Sequence, residues 1–86
     1  MVKVKVRFVT RMQKYSGQRD IWMELPPDPS QAIETIIAKF QIPWKDDLEK
    51  STRIFINKKF SDAFIKSGGI LKNDDIISLI PISGGG

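Results

Sequence analysis

The chain has 86 residues, 41% hydrophobic and 28% charged, the composition of one globular domain that buries roughly 60 to 65% of the surface its unfolded form exposes. Cysteine and histidine are both absent, which excludes disulfides, thiolate metal sites and a cysteine nucleophile, removes the commonest general base, and disfavours an independent hydrolase or metalloenzyme. Fourteen Lys and Arg against ten Asp and Glu give a net charge of +4, which admits an acidic protein, a nucleotide or a nucleic acid as partner.

Val2, Val4, Val6 and Phe8 alternate with Lys3, Lys5 and Arg7, the period of a half-buried strand over residues 2–9. Residues 10–17 break the pattern with Arg11, Lys14 and Gly17. Alternation then resumes as Ile21, Met23 and Leu25 against Asp20, Trp22 and Glu24, which predicts a hairpin with a long loop. Pro26 and Pro27 end the second strand. Asp28 is placed to cap a helix, with Pro29 at its first position and Gln31 where a capping-box partner belongs. Ile33, Ile36, Ile37 and Phe40 form one apolar stripe, and the helix stops before Pro43.

Residues 42–52 read as an irregular, charged connection, and residues 53–56, rich in β-branched and aromatic side chains, as a short strand. Asn57, Lys58 and Lys59 suggest a turn. Residues 60–72 have no firm period, and Ser67, Gly68 and Gly69 mark a loop, so this stretch holds at most a short strand or a single helical turn. Asn73, Asp74 and Asp75 make a second turn before a last strand over residues 76–80. The pairs Asp46–Asp47 and Asp74–Asp75 fit charged-loop and turn chemistry better than cation ligation, so no metal site is expected.

These elements predict an α+β fold, a mixed sheet with one main helix packed on one face. The domain spans residues 1–81, with a flexible tail over residues 82–86. Residues 76–80 are apolar on both sides, as a central strand is, and one helix cannot cover both. The excess, from Ile77 and Leu79 or from Ile76 and Ile80 according to which side meets the helix, is expected near an exposed apolar patch that includes Trp22 and serves for docking. No apolar run approaches the length of a membrane span and no signal-peptide core follows Met1, so the chain reads as cytoplasmic with no membrane partner.

After Pro81 come Ile82, Ser83, Gly84, Gly85 and Gly86. Extended, five residues reach on the order of 17 Å, and the glycines make the thread thin enough for a narrow channel to close on backbone alone. Such a channel could hold the Gly86 carboxylate in line with an attacking or leaving group. A frayed terminus is the competing account. Against it stand the position of the glycines directly after the last strand and the absence of repeated Gly-Ser linker residues.

The opening strand Val2 to Phe8, Gly17, the capped helix after Pro27, the run Ile56, Asn57, Lys58, and the stretch from Asn73 through Ile76 to Pro81, Ile82, Ser83, Gly84 and Gly85 together resemble the sulfur-carrier branch of the ubiquitin-like β-grasp superfamily. Within it the chain is most similar to small subunits of molybdopterin synthase, with thiamin sulfur carriers more distant. The resemblance implies a β-grasp fold and a carrier that is not itself an enzyme. It implies that an ATP-dependent, E1-like adenylating enzyme activates the C-terminal glycine carboxylate, and that sulfur then replaces the adenylate to leave a thiocarboxylate. A large catalytic subunit would receive the tail and build the dithiolene of the molybdenum or tungsten cofactor. Gly86, or Gly85 after trimming, would be the activated residue; Pro81, Ile82, Ser83, Gly84 and Gly85 with Ile77 and Leu79 would contact the partners. No cofactor would be held stably, ATP being used by the activating enzyme.

A ubiquitin-like modifier conjugated to lysines uses the same activation and the same tail. A carrier for thiamin or for tRNA thiolation does too. A third class, a nucleic-acid-binding module, is suggested by Lys3, Lys5 and Arg7 with Arg11, Lys14 and Arg19 nearby. A solvated sheet face explains those charges better, because only Trp22 and Tyr15 could stack beside them. The same basic face could instead steer an acidic partner.

Overall fold

The computed structural model describes residues 1–82. Ser83, Gly84, Gly85 and Gly86, which carry the tail expectation, lie outside the described residues, as do the side chains of Asp46 and Asp47.

Strand β1 (Val2–Phe8) is followed by a 3-10 turn (Thr10–Met12), a single helical turn α1 (Gln13–Ser16), and strand β2 (Asp20–Leu25). Helix α2 (Pro29–Lys39), a π-helical turn (Trp44–Leu48) and a helical turn α3 (Glu49–Ser51) lead to strand β3 (Thr52–Ile56). Strand β4 (Lys59–Phe60), helix α4 (Ser61–Lys66) and strand β5 (Ile76–Pro81) complete it. The five strands form one sheet in the order β2-β1-β5-β3-β4. β1 runs antiparallel to β2 and parallel to β5, while β3 runs antiparallel to both β5 and β4.

Helix α2 starts as its sequence dictates. The Asp28 carboxylate accepts the Gln31 amide at 3.0 Å and Pro29 occupies the first turn, so two of the exposed amides of a helix start are satisfied or missing. Its buried residues are Pro29, Ala32 and Ile36, while Ile33, Ile37 and Phe40 pack from the flank. The stripe is therefore rotated towards the small Ala32, which lets the helix lie close to the sheet. Beneath it Val4, Val6, Phe8, Leu25, Ile56, Ile77 and Leu79 are buried, and Phe8 meets Phe40 edge-on at 5.0 Å between ring centroids.

The connections are more ordered than the sequence suggests. The loop over residues 10–17 drops Met12 into the core at 0% exposure, within 4.0 Å of the Thr52 hydroxyl, before Gly17 reverses the chain at φ 77°. Strand β4 begins at Lys59, inside the expected turn, and residues 60–72 then hold the six-residue helix α4, where at most a short strand or a single helical turn is expected. The second turn ties the sheet end together: Asn73 Oδ1 accepts the Lys3 amide at 2.9 Å, and Asp75 Oδ2 accepts the Lys72 amide at 2.8 Å. Asn57, at φ 57°, accepts the Ile76 amide at 3.0 Å and donates to Asp75 Oδ1 at 3.2 Å. The carboxylate of Asp75 is thus spent on turn hydrogen bonds. No helix of the described residues is long and apolar enough to cross a membrane.

Because Met12 is fully buried in the core, Met12→Ala should leave a cavity and lower stability by about 2–5 kcal/mol. A fall of that size in urea unfolding, at unchanged denaturant slope, checks it.

Candidate functional site

Alternation along β5 decides which side chains meet the helix. Ile77 pairs in register with Val6 and Ile56, and Leu79 with Phe8 and Ile54, so both turn towards α2 and are 0% and 1% exposed. Both are core residues beneath the helix, whereas the sequence reading groups them with the tail as partner contacts. The opposite face, which no helix covers, carries Ile76, Ser78 and Ile80 instead. Ile76 and Ile80 are half-buried, and Ser78 sits between them at 8% exposure.

The registers lay out the rest of this open face. Lys5 stands between Trp22 and Ile76, Arg7 between Asp20 and Ser78, and Lys3 opposite Glu24. On the other side Phe55 stands opposite Ser78 and Phe60, and Arg53 opposite Ile80. Trp22 is 47% exposed and Phe60 49%. The indole is held by two cations, with Lys3 Nζ 5.5 Å and Lys5 Nζ 5.3 Å from its centroid, and Phe55 stacks on Phe60 at 4.8 Å.

Of the two expected pairs, it is Ile76 and Ile80 that share the open face with the exposed Trp22. Sequence reasoning did not place Arg53, Phe55 and Phe60 there. Strict alternation through residues 53–56 was the signal that could have done so, since it puts Arg53 and Phe55 opposite the core pair Ile54 and Ile56. Arg11, Lys14 and Arg19 belong to the β1–β2 connection, where Lys14 Nζ lies 5.2 Å from the Tyr15 ring centroid.

Arg7 and Asp20 form a two-contact ion pair, Nε to Oδ1 at 2.9 Å and Nη2 to Oδ2 at 3.4 Å. The hydrogen bond from Arg7 holds the Asp20 carboxyl below its ordinary pKa; desolvation opposes it, and the charges of Arg7, Arg19 and Lys5 add to it. The same bond raises Arg7.

At its end, β5 delivers the chain to a fixed point. Pro81 still pairs in register with Thr52, and the Ile82 amide donates to the Ser51 carbonyl at 2.8 Å. Ile82 is half-buried, so although grouped with the tail it remains tied to the domain. Residues 76, 78 and 80 run along the open face towards that exit. A protein lying on Ile76 and Ile80 would therefore sit beside the point where residues 83–86 begin.

No protein-family model matches the sequence, and no curated protein matches it. Solved structures do. Small archaeal modifier protein 1 of Methanosarcina acetivorans gives a TM-score of 0.73 at 20% identity, over 100% of this chain and 98% of its own. A Pyrococcus furiosus protein named as subunit 1 of a molybdopterin converting factor gives 0.70 at 23% identity, over 95% and 99%. SAMP1 of Haloferax volcanii gives 0.72 at 12% identity, over 98% and 99%. The likeness at these identities is one of fold, the ubiquitin-like β-grasp.

A carboxyl whose pKa is lowered by folding binds protons more tightly in the unfolded chain, so its contribution is complete above the unfolded pKa and is lost as pH falls through the folded value. The acid limb of the stability curve should therefore be shallower in Asp20→Asn than in the parent, with the two curves parallel near neutrality. Thermal unfolding across that pH range measures it.

Proposed function

We propose that the chain is a ubiquitin-like carrier whose C-terminal glycine carboxylate is activated and charged with sulfur by partner enzymes. The observation that supports this reading most is the placement of β5. The strand that leads to the glycines is central in the sheet and anchored to its last described residue by the bond from Ile82 to Ser51. The domain thus acts as a rigid handle for a thread that begins beside an open, partly apolar face.

The chemistry belongs to the partners. In an ATP-dependent adenylating enzyme, an oxygen of the Gly86 carboxylate, or of Gly85 after trimming, attacks the α-phosphorus of ATP. Pyrophosphate leaves and an acyl adenylate forms. Attack by hydrosulfide on the acyl carbon expels AMP and leaves a thiocarboxylate, a net exchange of one oxygen for sulfur. This chain contributes reach and slimness: glycine lets a channel close around the backbone, and holding the acyl carbon in line supplies rate through positioning. With neither cysteine nor histidine, it offers no nucleophile or base of the usual kind for these steps. A large synthase subunit that builds the dithiolene of molybdopterin is the acceptor we favour, supported by the likeness to the Pyrococcus furiosus protein.

A second reading, conjugation of the activated glycine to protein lysines, is favoured by the likeness to the modifier proteins of Methanosarcina acetivorans and Haloferax volcanii. Intact-mass analysis after incubation with ATP, a sulfide source and the adenylating enzyme separates the two. The carrier reading expects the oxygen-to-sulfur mass gain, lost on removal of Gly85 and Gly86 while the circular dichroism of the domain stays unchanged. High-mass lysine conjugates with no thiocarboxylate would decide for the modifier.

A further inference from the structure

The helix side of the sheet carries a groove for which the carrier chemistry has no use. It runs between α2, the connection after it, β3 and α4, with a volume of about 860 Å³. A smaller cavity of about 480 Å³ continues it along the outer flank of α2, and the two share Ile33, Glu34 and Trp44. Ile33, Trp44 and Ile65 are half-buried along the groove, and Ile54 lies beneath it at 6% exposure. From Ser30 to Ala38 the helix rises about 12 Å, the span of about four extended residues. An elongated, partly apolar trough of that length suits a peptide chain better than a compact ligand.

Its rim is acidic although the net charge of the protein is +4. Glu34 of α2, Glu49 of α3 and Asp62 of α4 line it from three elements, all exposed and none ion-paired among the described residues. Against these three carboxylates stands the ammonium of Lys66, four residues after Asp62, while Lys45 belongs to the smaller cavity. Arg53 borders the groove on β3, but alternation sends its side chain to the other face, opposite Ile80. We propose that the groove is a second binding site, one that takes an extended basic peptide segment. Its Lys or Arg side chains would meet Glu34, Glu49 and Asp62, and an aliphatic side chain between them would enter against Ile33, Trp44 and Ile54. The inference goes beyond the carrier reading and does not rest on it.

The sign of the charge chooses the occupant. An acidic segment would be repelled at this rim, and the same holds for the carboxylate end of this chain, although Ile82 is bonded to Ser51 close to Glu49. The overall positive charge repels a basic peptide at long range. Binding must therefore come from carboxylates within about a Debye length, roughly 8–10 Å, together with burial of the aliphatic side chain.

The test uses the full-length, isotopically labelled chain and three short synthetic peptides: alternating Lys and Leu, alternating Glu and Leu, and alternating Lys and Ser. The proposal expects the Lys-Leu peptide to shift the amides of Ile33, Glu34, Ile54 and Asp62 and to bind less tightly as salt rises. In Trp22→Phe it should also perturb the fluorescence of Trp44, the remaining indole. The Lys-Ser peptide should bind more weakly, and the Glu-Leu peptide should leave these amides unmoved. Glu34→Gln with Asp62→Asn should weaken the Lys-Leu peptide about threefold to tenfold. Ala63 is exposed on the rim, so Ala63→Phe should obstruct the groove without altering a charge and cause a loss at least as large. Equal binding of the Glu-Leu peptide, shifts confined to the open face of the sheet, or no binding would each overturn the proposal. So would movement of the same amides with protein concentration alone, which assigns the groove to a second copy, or tighter peptide binding on removal of Gly85 and Gly86, which assigns it to the end of this chain.

Discussion

The parallel pairing of β1 with β5 is the constraint on which the molecule depends. It places the final described strand in the middle of the sheet, between β1 and β3, where its two sides face different surroundings. Ile77 and Leu79 go under the helix, each contributing about 1.5–3 kcal/mol by burial. Ile76 and Ile80 are left on the face that has no helix. The same pairing fixes the exit of the chain, since Pro81 and Ile82 continue along β3 as far as Thr52 and Ser51. Rigidity of the core and readiness of the thread are thus two results of one strand placement.

Charge on the open face is distributed with similar economy. The bidentate pair of Arg7 and Asp20 removes one cation from use, and the indole of Trp22 gathers two more ammonium groups around an otherwise sticky surface. An exposed sheet face with aromatic and aliphatic residues invites indiscriminate association. Interleaved lysines and arginines restrict it, because a partner without matching carboxylates must desolvate cations for no return.

Much of this architecture is legible in the residues. β1 announces itself by strict alternation, α2 by Asp28 and Pro29, and β5 by a run apolar on both sides. What escaped has definite physical causes. Nothing local tells which side of a doubly apolar strand meets the helix; that is set by the register with Val6 and Phe8, a contact between the two ends of the chain. Met12 is invisible because its burial follows from a single 3-10 turn, too short to have a period. The two-residue β4 pairs with Phe55 and Ile56 across a tight turn and is too short to show a period, and the six-residue α4 is held by Phe64 packing on the core. The glycine run at the end of the sequence lies outside the described residues, and the covalent role proposed for it is not something packing records.

The middle position of β5 also bears on how the protein comes into being. Lys3 and Asn73 are hydrogen-bonded although 70 residues separate them, and the central ladder cannot close until both of its strands exist. During vectorial synthesis on the ribosome, β1 and β2 can form their hairpin early and α2 can follow onto its apolar side, but the other edge of β1 stays unpaired until β5 is made. A nascent chain halted before residue 76 would leave that edge open to other chains. Completion of the last strand is therefore the step that converts an aggregation-prone intermediate into a finished sheet.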